Sequence, residues 1–211
     1  ARELRQEFAI EIKCIEIDLS SDKEVNNLVE KLDEEIGLLV YNAAYSPIGY
    51  FADIDVKSIM KVVDVNVRTP LMLTKILSDG MIERNRGGII LMSSMAGAQG
   101  SPKISTYAAS KSFNTVLAEG LWKELGQYNI QVISSIAGAI KTHGYATASQ
   151  GKTAPGTLDA EQVAEETITA LGKGPAVVPG FFNKFANFIM TRLLGRKQRI
   201  NIMYSNTKDL S

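Results

Sequence analysis

Short apolar runs alternate along this chain with longer segments in which apolar residues recur at helical spacing. The short runs predict strands over residues 12–18, 38–42, 89–93, 130–136 and 176–179. The longer segments predict helices over residues 22–35, 107–126 and 159–171, and one or two helices over residues 55–82. Strands that alternate with helices, and that are apolar throughout, indicate a doubly wound, mostly parallel α/β sheet with helices on both faces.

Length and composition limit what the chain is. Its 211 residues, of which 45% are hydrophobic, favour a single domain over residues 1–211. There are 23 Lys and Arg residues against 23 Asp and Glu residues, so no overall charge attracts nucleic acid. The single cysteine, Cys14, excludes an internal disulfide and a thiolate metal cluster, and its apolar neighbours predict a buried thiol. No membrane-length apolar stretch and no signal-peptide pattern occur, so we expect a cytoplasmic protein.

Small or polar residues follow the predicted strands. Ligands of such sheets bind beyond the carboxyl ends of the strands, where small residues let a ligand approach the backbone. The candidate ligand-binding positions at these ends are Asp18 and Leu19, then Asn42, Ala43 and Ala44, then Ser93 and Ser94, then Ala137 and Gly138.

The strongest chemical signal is Tyr107, followed four residues later by Lys111. Residues four apart lie on one face of a helix, and a nearby ammonium lowers the pKa of a phenol from about 10, which suits acid–base catalysis. A tyrosine and a lysine four residues apart form only a short motif. The alternative interpretation is an exposed tyrosine with an unrelated lysine. Ser94, directly after a strand, offers a hydroxyl to the same substrate oxygen. Asn66 is a polar amide among apolar residues of a predicted helix, which favours a specific hydrogen bond.

Taken together, these residues resemble the classical short-chain dehydrogenase/reductase family in order and approximate spacing. The resemblance rests on Asn42-Ala43-Ala44, Asn66, Ser94, Tyr107 with Lys111, and Ala137-Gly138 with Thr142. It implies an oxidoreductase that moves a hydride between NAD or NADP and a small-molecule carbonyl or secondary alcohol.

The resemblance also implies a role for each residue. Tyr107 is expected to be the catalytic acid/base, with Lys111 lowering its pKa and holding the nicotinamide ribose. Ser94 is expected to polarise the substrate carbonyl, and Asn66 to position a water that relays protons to Lys111. The expected cofactor contacts are Asp18 and Leu19 at the adenine, Asn42, Ala43 and Ala44 along the cofactor, and Gly138, Ile140 and Thr142 at the nicotinamide end, with no metal site.

Three features depart from the family pattern. Ala44 and Ala137 stand where the family usually has Gly and Pro. The family's glycine-rich dinucleotide loop, with its first β-α-β segment, has no counterpart before Asp18, so we expect about forty further residues to precede this sequence. The residue that separates NAD from NADP lies in that segment, and the preference is therefore unreadable.

The last third of the chain contains the segments that we expect to contact the substrate. Residues 143–158 predict a substrate loop, and residues 181–211 an amphipathic C-terminal extension that covers the substrate site, forms an oligomer interface or lies on a membrane surface. The alternative is a C-terminal helix that only packs against the fold. The resemblance implies an apolar or lipid-like substrate and a homodimer or homotetramer. The alternative to an enzyme is a non-catalytic protein of the same fold that senses a dinucleotide or acts as a scaffold.

Overall fold

A four-stranded parallel sheet forms the centre of the molecule. The computed structural model describes residues 2–32, 34–142, 145, 147, 149, 151 and 153–210. In this part of the chain the strands are β1 (Leu38–Tyr41), β2 (Gly87–Ser94), β3 (Ile130–Ala137) and β4 (Ala176–Val177). They pair in the order β1-β2-β3-β4. The α/β class predicted from the sequence is confirmed.

The helices lie between and after these strands. They are α1 (Arg2–Phe8), α2 (Asp22–Glu30), α3 (Val56–Val63), α4 (Thr69–Glu83), α5 (Ser105–Gly126), α6 (Ala160–Ala170), α7 (Phe181–Phe188) and α8 (Arg196–Thr207). One turn of π-helix, Asp64–Arg68, joins α3 to α4, and a second, Ile189–Leu193, follows α7. A 3₁₀ turn, Met95–Ala98, follows β2. No helix in the described ranges is both long enough and apolar enough to span a bilayer.

The core forms where α4 and α5 pack on the sheet. Ile89, Leu91 and Val132 of the central strands are fully buried, together with Met81 of α4 and Ala118 of α5. Central parallel strands are covered on both faces, which is why their sequences are apolar throughout. This packing places the amino-terminal half of α5 beside the carboxyl end of β2.

The strand predicted over residues 12–18 is wrong. This segment has no regular secondary structure and is largely exposed, and Cys14 is exposed with it. A strand forms only when its backbone groups bond to a neighbouring strand, and none of the described strands pairs with this segment. β1 is consequently an edge strand, on which Leu38 and Val40 are exposed.

Other boundaries differ slightly from the predictions. α2 ends at Glu30 rather than at residue 35, and beyond it Glu34 pairs with Lys13 and Glu35 with Arg84. Ser21 caps the start of α2, accepting from the backbone N–H of Glu24. Part of the predicted substrate loop, including residues 143, 144 and 152, lies outside the described residues.

Candidate active site

Tyr107 and Lys111 lie one turn apart on α5 and share one face of that helix. The Lys111 Nζ is 5.6 Å from the centre of the Tyr107 ring, and it donates a hydrogen bond of 2.7 Å to the Met92 carbonyl of β2. The Lys111 side chain is 97% shielded from solvent, since only 3% of the residue's surface is exposed. The predicted pairing of the two side chains is therefore present in the fold.

Burial controls the protonation of this pair. It raises the pKa of Tyr107, and a hydrogen bond from the Ser94 hydroxyl offsets part of the rise. This direction is opposite to the lowered pKa expected from the sequence, because desolvation of the phenolate is the largest effect on the group. Burial also lowers the pKa of Lys111 to about 8. At pH 7 the phenol is neutral and the ammonium is still mostly charged.

Ser94 ends β2 and begins the 3₁₀ turn that follows. Its hydroxyl accepts a hydrogen bond of 3.2 Å from the backbone N–H of Ala96 and lies beside the Tyr107 hydroxyl. Successive residues of a strand point to opposite faces, so Ser93 points the other way. The Ser93 hydroxyl bonds the Lys111 carbonyl and the Thr115 hydroxyl, both at 2.7 Å. Ser93 and Thr115 thus join α5 to β2, a supporting role that the sequence analysis missed although Ser93 stood at a strand end.

Asn66 is fully buried in the π-helical turn before α4. Its amide oxygen accepts from the Tyr45 backbone N–H at 2.8 Å, and its amide nitrogen donates to the Tyr45 carbonyl at 2.9 Å and the Ser110 hydroxyl at 3.0 Å. Ser110 in turn donates to the Tyr107 carbonyl. The amide therefore joins the segment after β1 to α5, beside the candidate catalytic residues.

A cleft of about 960 Å³ opens beyond the carboxyl ends of the strands. Ser94, Tyr107 and Lys111 line it together. Five of the predicted cofactor contacts line it as well: Asn42, Ala44, Gly138, Ile140 and Thr142. Eight candidate residues from separate parts of the chain are thus brought to one cavity.

Asp18, Leu19, Ala43 and Asn66 are not among the residues that line this cleft. Asp18 is exposed and accepts hydrogen bonds from the backbone and hydroxyl of Ser20, which lower its pKa. Leu19 and Ala43 pack against the core. The predicted adenine contact of Asp18 and Leu19 stays a prediction.

The C-terminal extension forms one wall of the cleft. Phe182, Asn183, Ala186 and Asn187 of α7 line it, followed by Met190. Asn183 is buried, and its amide donates to the Gly156 carbonyl at 2.9 Å and the Pro179 carbonyl at 3.1 Å. This face of α7 borders the cleft, and which role the extension has stays a prediction. The sequence analysis missed Asn183, whose only signal was its position in the Pro-Gly-Phe-Phe-Asn stretch.

The cleft has the features that a nicotinamide dinucleotide needs. An ammonium has three N–H groups, and the described residues supply Lys111 with one acceptor, the Met92 carbonyl, so its other donors are available to ribose hydroxyls. Small residues, Ala44, Ala137 and Gly138, line the same edge and leave room for a ligand against the backbone.

Comparison with known proteins agrees with this geometry. The sequence profile described as short chain dehydrogenase matches residues 1–153, which is well over half of the chain. The chain belongs to the short-chain dehydrogenase family. The resemblance recognised from the motif residues is confirmed.

Among curated short-chain dehydrogenase relatives, the oxidoreductase YmfI of Bacillus subtilis is 30% identical over 143 residues, which is 68% of this chain and 59% of YmfI. A very-long-chain 3-oxoacyl-CoA reductase of Laccaria bicolor is 34% identical over 63% of this chain and 40% of its own length. The 3-ketodihydrosphingosine reductase of Mus musculus is 31% identical over 74% of this chain and 47% of its own length. The chain thus spans about half the length of the curated relatives it matches.

Solved structures show the same fold. A 7β-hydroxysteroid dehydrogenase superimposes with a TM-score of 0.88 at 24% identity, over 96% of this chain and 80% of that one. A short-chain dehydrogenase from Sphingobium yanoikuyae in complex with NADPH has a TM-score of 0.74 at 21% identity, over 85% of this chain and 71% of that one.

Proposed function

We propose that this short-chain dehydrogenase moves a hydride between NAD or NADP and the carbonyl or secondary alcohol of an apolar substrate. The observation that carries the proposal is the meeting of the Ser94 hydroxyl, the Tyr107 phenol and the buried Lys111 ammonium in one cleft. Each of these three groups has a defined role when the carbonyl oxygen of the substrate becomes the hydroxyl oxygen of an alcohol.

In the reducing direction, Tyr107 donates its proton to the substrate oxygen. Its raised pKa keeps the phenol neutral at pH 7, so the proton is available. Ser94 donates a hydrogen bond to the same oxygen and polarises the carbonyl. The Lys111 ammonium stabilises the phenolate left on Tyr107. A nicotinamide dinucleotide, when bound, supplies the hydride that completes the reduction.

Asn66 acts through its backbone in this proposal. Its amide is bonded to Tyr45 and Ser110, so the side chain is already occupied. Its carbonyl cannot accept from the residue four positions later, because that residue is Pro70, which has no N–H. We assign the water of the proton relay to this carbonyl rather than to the amide.

The walls of the cleft support an apolar substrate. Lys111 and Asp209 are the charged side chains among its described lining residues, and half of the others are Ala, Ile, Met or Phe. Burying charged substrate groups without partners is costly, whereas apolar groups are stabilised by leaving water. Two relatives are named as reductases of a very-long-chain 3-oxoacyl-CoA and of 3-ketodihydrosphingosine, which agrees with a lipid-like substrate.

Assembly into a homodimer or homotetramer is part of the same proposal. Leu71 and Ile76 of α4 and Val116 and Trp122 of α5 are large apolar side chains that are exposed. Exposed apolar side chains on these two helices are suited to a contact between copies. Sedimentation velocity of the wild type and of Val116→Glu tests it: the variant is expected to sediment as a monomer.

The experiment that tests the activity follows nicotinamide absorbance with NADH and NADPH across aliphatic and steroid-like ketones. We expect reduction of an apolar ketone with at least one dinucleotide, and slower reduction of ketones that carry a carboxylate. Tight dinucleotide binding without turnover of any carbonyl would overturn the proposal in favour of the sensing or scaffold alternative.

A further inference from the structure

The C-terminal segment over residues 181–208 is uniformly basic. It contains six Lys and Arg residues and no Asp or Glu, in a chain whose net charge is zero. Lys184 pairs with Glu166, and Arg199 donates to nearby carbonyls. Arg192, Arg196 and Lys197 are exposed, with no ion pair in the described part of the chain. The segment therefore presents unneutralised positive charge to its surroundings.

An apolar ridge runs along the outside of the same segment. The ridge consists of Phe181, Phe185, Phe188 and Leu193, whose exposed fractions are 87%, 59%, 53% and 64%. The three phenylalanines follow one another at intervals of four and three residues, so they lie on one helical face. Arg192 follows Phe188 by four residues and continues that face. Contiguous exposed aromatic surface of this kind marks a site of contact with a partner or a membrane.

The ridge adjoins the mouth of the cleft. Ala186 and Met190 point from α7 and the turn after it into the cleft, and they alternate with the ridge residues along the chain. Phe182 belongs to both surfaces, since it lines the cleft and is 53% exposed. One helix thus separates the substrate cavity from the ridge.

Charge distinguishes between the surfaces that this ridge could contact. A second copy placed ridge to ridge would bring two basic segments together, and their like charges would repel. An anionic bilayer attracts basic residues and accepts aromatic side chains at the boundary between headgroups and acyl chains. We propose that the ridge and its basic residues dock this protein on the surface of an anionic lipid bilayer.

Docking of the ridge on a bilayer determines how the substrate reaches the cleft. With the ridge on the bilayer, the mouth beside Phe182 faces the acyl chains, and an apolar substrate enters without crossing water. This consequence rests on the proposed reductase function, whereas the docking itself does not.

Co-sedimentation with vesicles tests the docking. The probes are vesicles of phosphatidylcholine alone and of phosphatidylcholine with one third phosphatidylglycerol. We expect binding to the anionic vesicles and binding at least tenfold weaker to the neutral ones. Phe181→Ser/Phe185→Ser is expected to weaken anionic-vesicle binding at least tenfold, and Phe8→Ser, which alters a similarly exposed phenylalanine on α1, to leave it unchanged.

A second pair of variants tests the charge. Arg196→Ala/Lys197→Ala is expected to weaken binding at least tenfold, since each basic residue near an anionic surface contributes roughly fivefold. Lys23→Ala/Lys123→Ala removes the same charge from exposed positions elsewhere and is expected to bind like the wild type. Circular dichroism confirms that each variant is folded.

Three results would overturn the docking proposal. One is equal binding to neutral and anionic vesicles, or to none. Another is a dimer in sedimentation velocity that Phe181→Ser/Phe185→Ser dissociates while vesicle binding is absent, which would make the ridge an interface between copies. The third is binding to double-stranded DNA as tight as to vesicles, which would indicate a general polyanion surface. Because none of these readouts needs turnover, a failure of the reductase proposal leaves the docking test intact.

Discussion

Gly97 packs directly against the backbone of Lys111. A Cβ atom on Gly97 would lie 2.7 Å from the backbone nitrogen of Ser112 and 2.9 Å from the carbonyl carbon of Lys111. Backbone atoms in the middle of a helix cannot yield by such a distance without moving the helix. The missing side chain at Gly97 therefore sets how closely α5 approaches the turn that carries Ser94.

Gly97→Ala is expected to move α5 away from Ser94 and to cost about 1–3 kcal/mol of stability, as overpacking does. Turnover should fall more than tenfold, because the Tyr107 phenol and the Ser94 hydroxyl lose their alignment. Thermal unfolding and steady-state kinetics measure the two effects. Gly120→Ala in α5 is the control: among the described residues nothing beyond the helix's own backbone lies within 4 Å of its Cβ, so it should stabilise the protein slightly. Equal effects of the two variants would contradict the packing argument.

Burial of Lys111 makes stability depend on pH. The pKa of Lys111 is about 8 in the folded protein against 10.5 for the free side chain. Between these values the unfolded chain binds the proton that the folded protein has lost, so the free energy of unfolding rises with pH. The wild type should gain about 2 kcal/mol relative to Lys111→Met between pH 8 and pH 10. Urea unfolding across that range measures it, and parallel curves would show that the pKa is not depressed.

Replacing Asn66 is expected to lower the free energy of unfolding by more than the size of its side chain suggests. Asn66→Ala removes three hydrogen bonds and leaves the part-buried Tyr45 N–H without its acceptor, which should cost about 2–4 kcal/mol. Asn27→Ala on the exposed side of α2 should cost less than about 0.5 kcal/mol. Chemical denaturation compares the two variants. A loss for Asn66→Ala no greater than that for Asn27→Ala would mean that these bonds do not form.

Asn183 holds the segment that ends the predicted substrate loop. Its amide bonds the carbonyls of Gly156 and Pro179, so Asn183→Leu should release the loop from the wall of the cleft. We expect KM for an apolar ketone to rise about tenfold and dinucleotide affinity to stay within threefold. Asn201→Ala on the exposed side of α8 is the matched control. An unchanged KM in Asn183→Leu would remove Asn183 from substrate binding.

The local elements of the site could be predicted from the sequence. Tyr107 and Lys111 are four residues apart in one helix, and Ser94 follows an apolar strand, so periodicity alone places each correctly. The parallel sheet follows from the same alternation of strands and helices. These features depend on residues that are close together in the sequence, so their spacing can be read from the sequence directly.

Features that depend on distant partners could not be predicted. Residues 12–18 have the composition of a strand, but none of the described strands bonds to them, and composition does not reveal a partner. The pKa of Tyr107 depends on how deeply the phenol is buried, which spacing to Lys111 does not indicate. The roles of Asn66 and Asn183 depend on carbonyls that the fold brings from 21 and 27 residues away.

The single-turnover rate of ketone reduction by Tyr107→Phe tests the central claim most directly, with Tyr128→Phe in the turn after α5 as the control. We expect a loss of at least about a thousandfold for Tyr107→Phe, within the usual range for general acid catalysis, with dinucleotide affinity within threefold of the wild type. Tyr128→Phe should react at the wild-type rate. A Tyr107→Phe rate within tenfold of the wild type would contradict the assignment of Tyr107 as the proton donor.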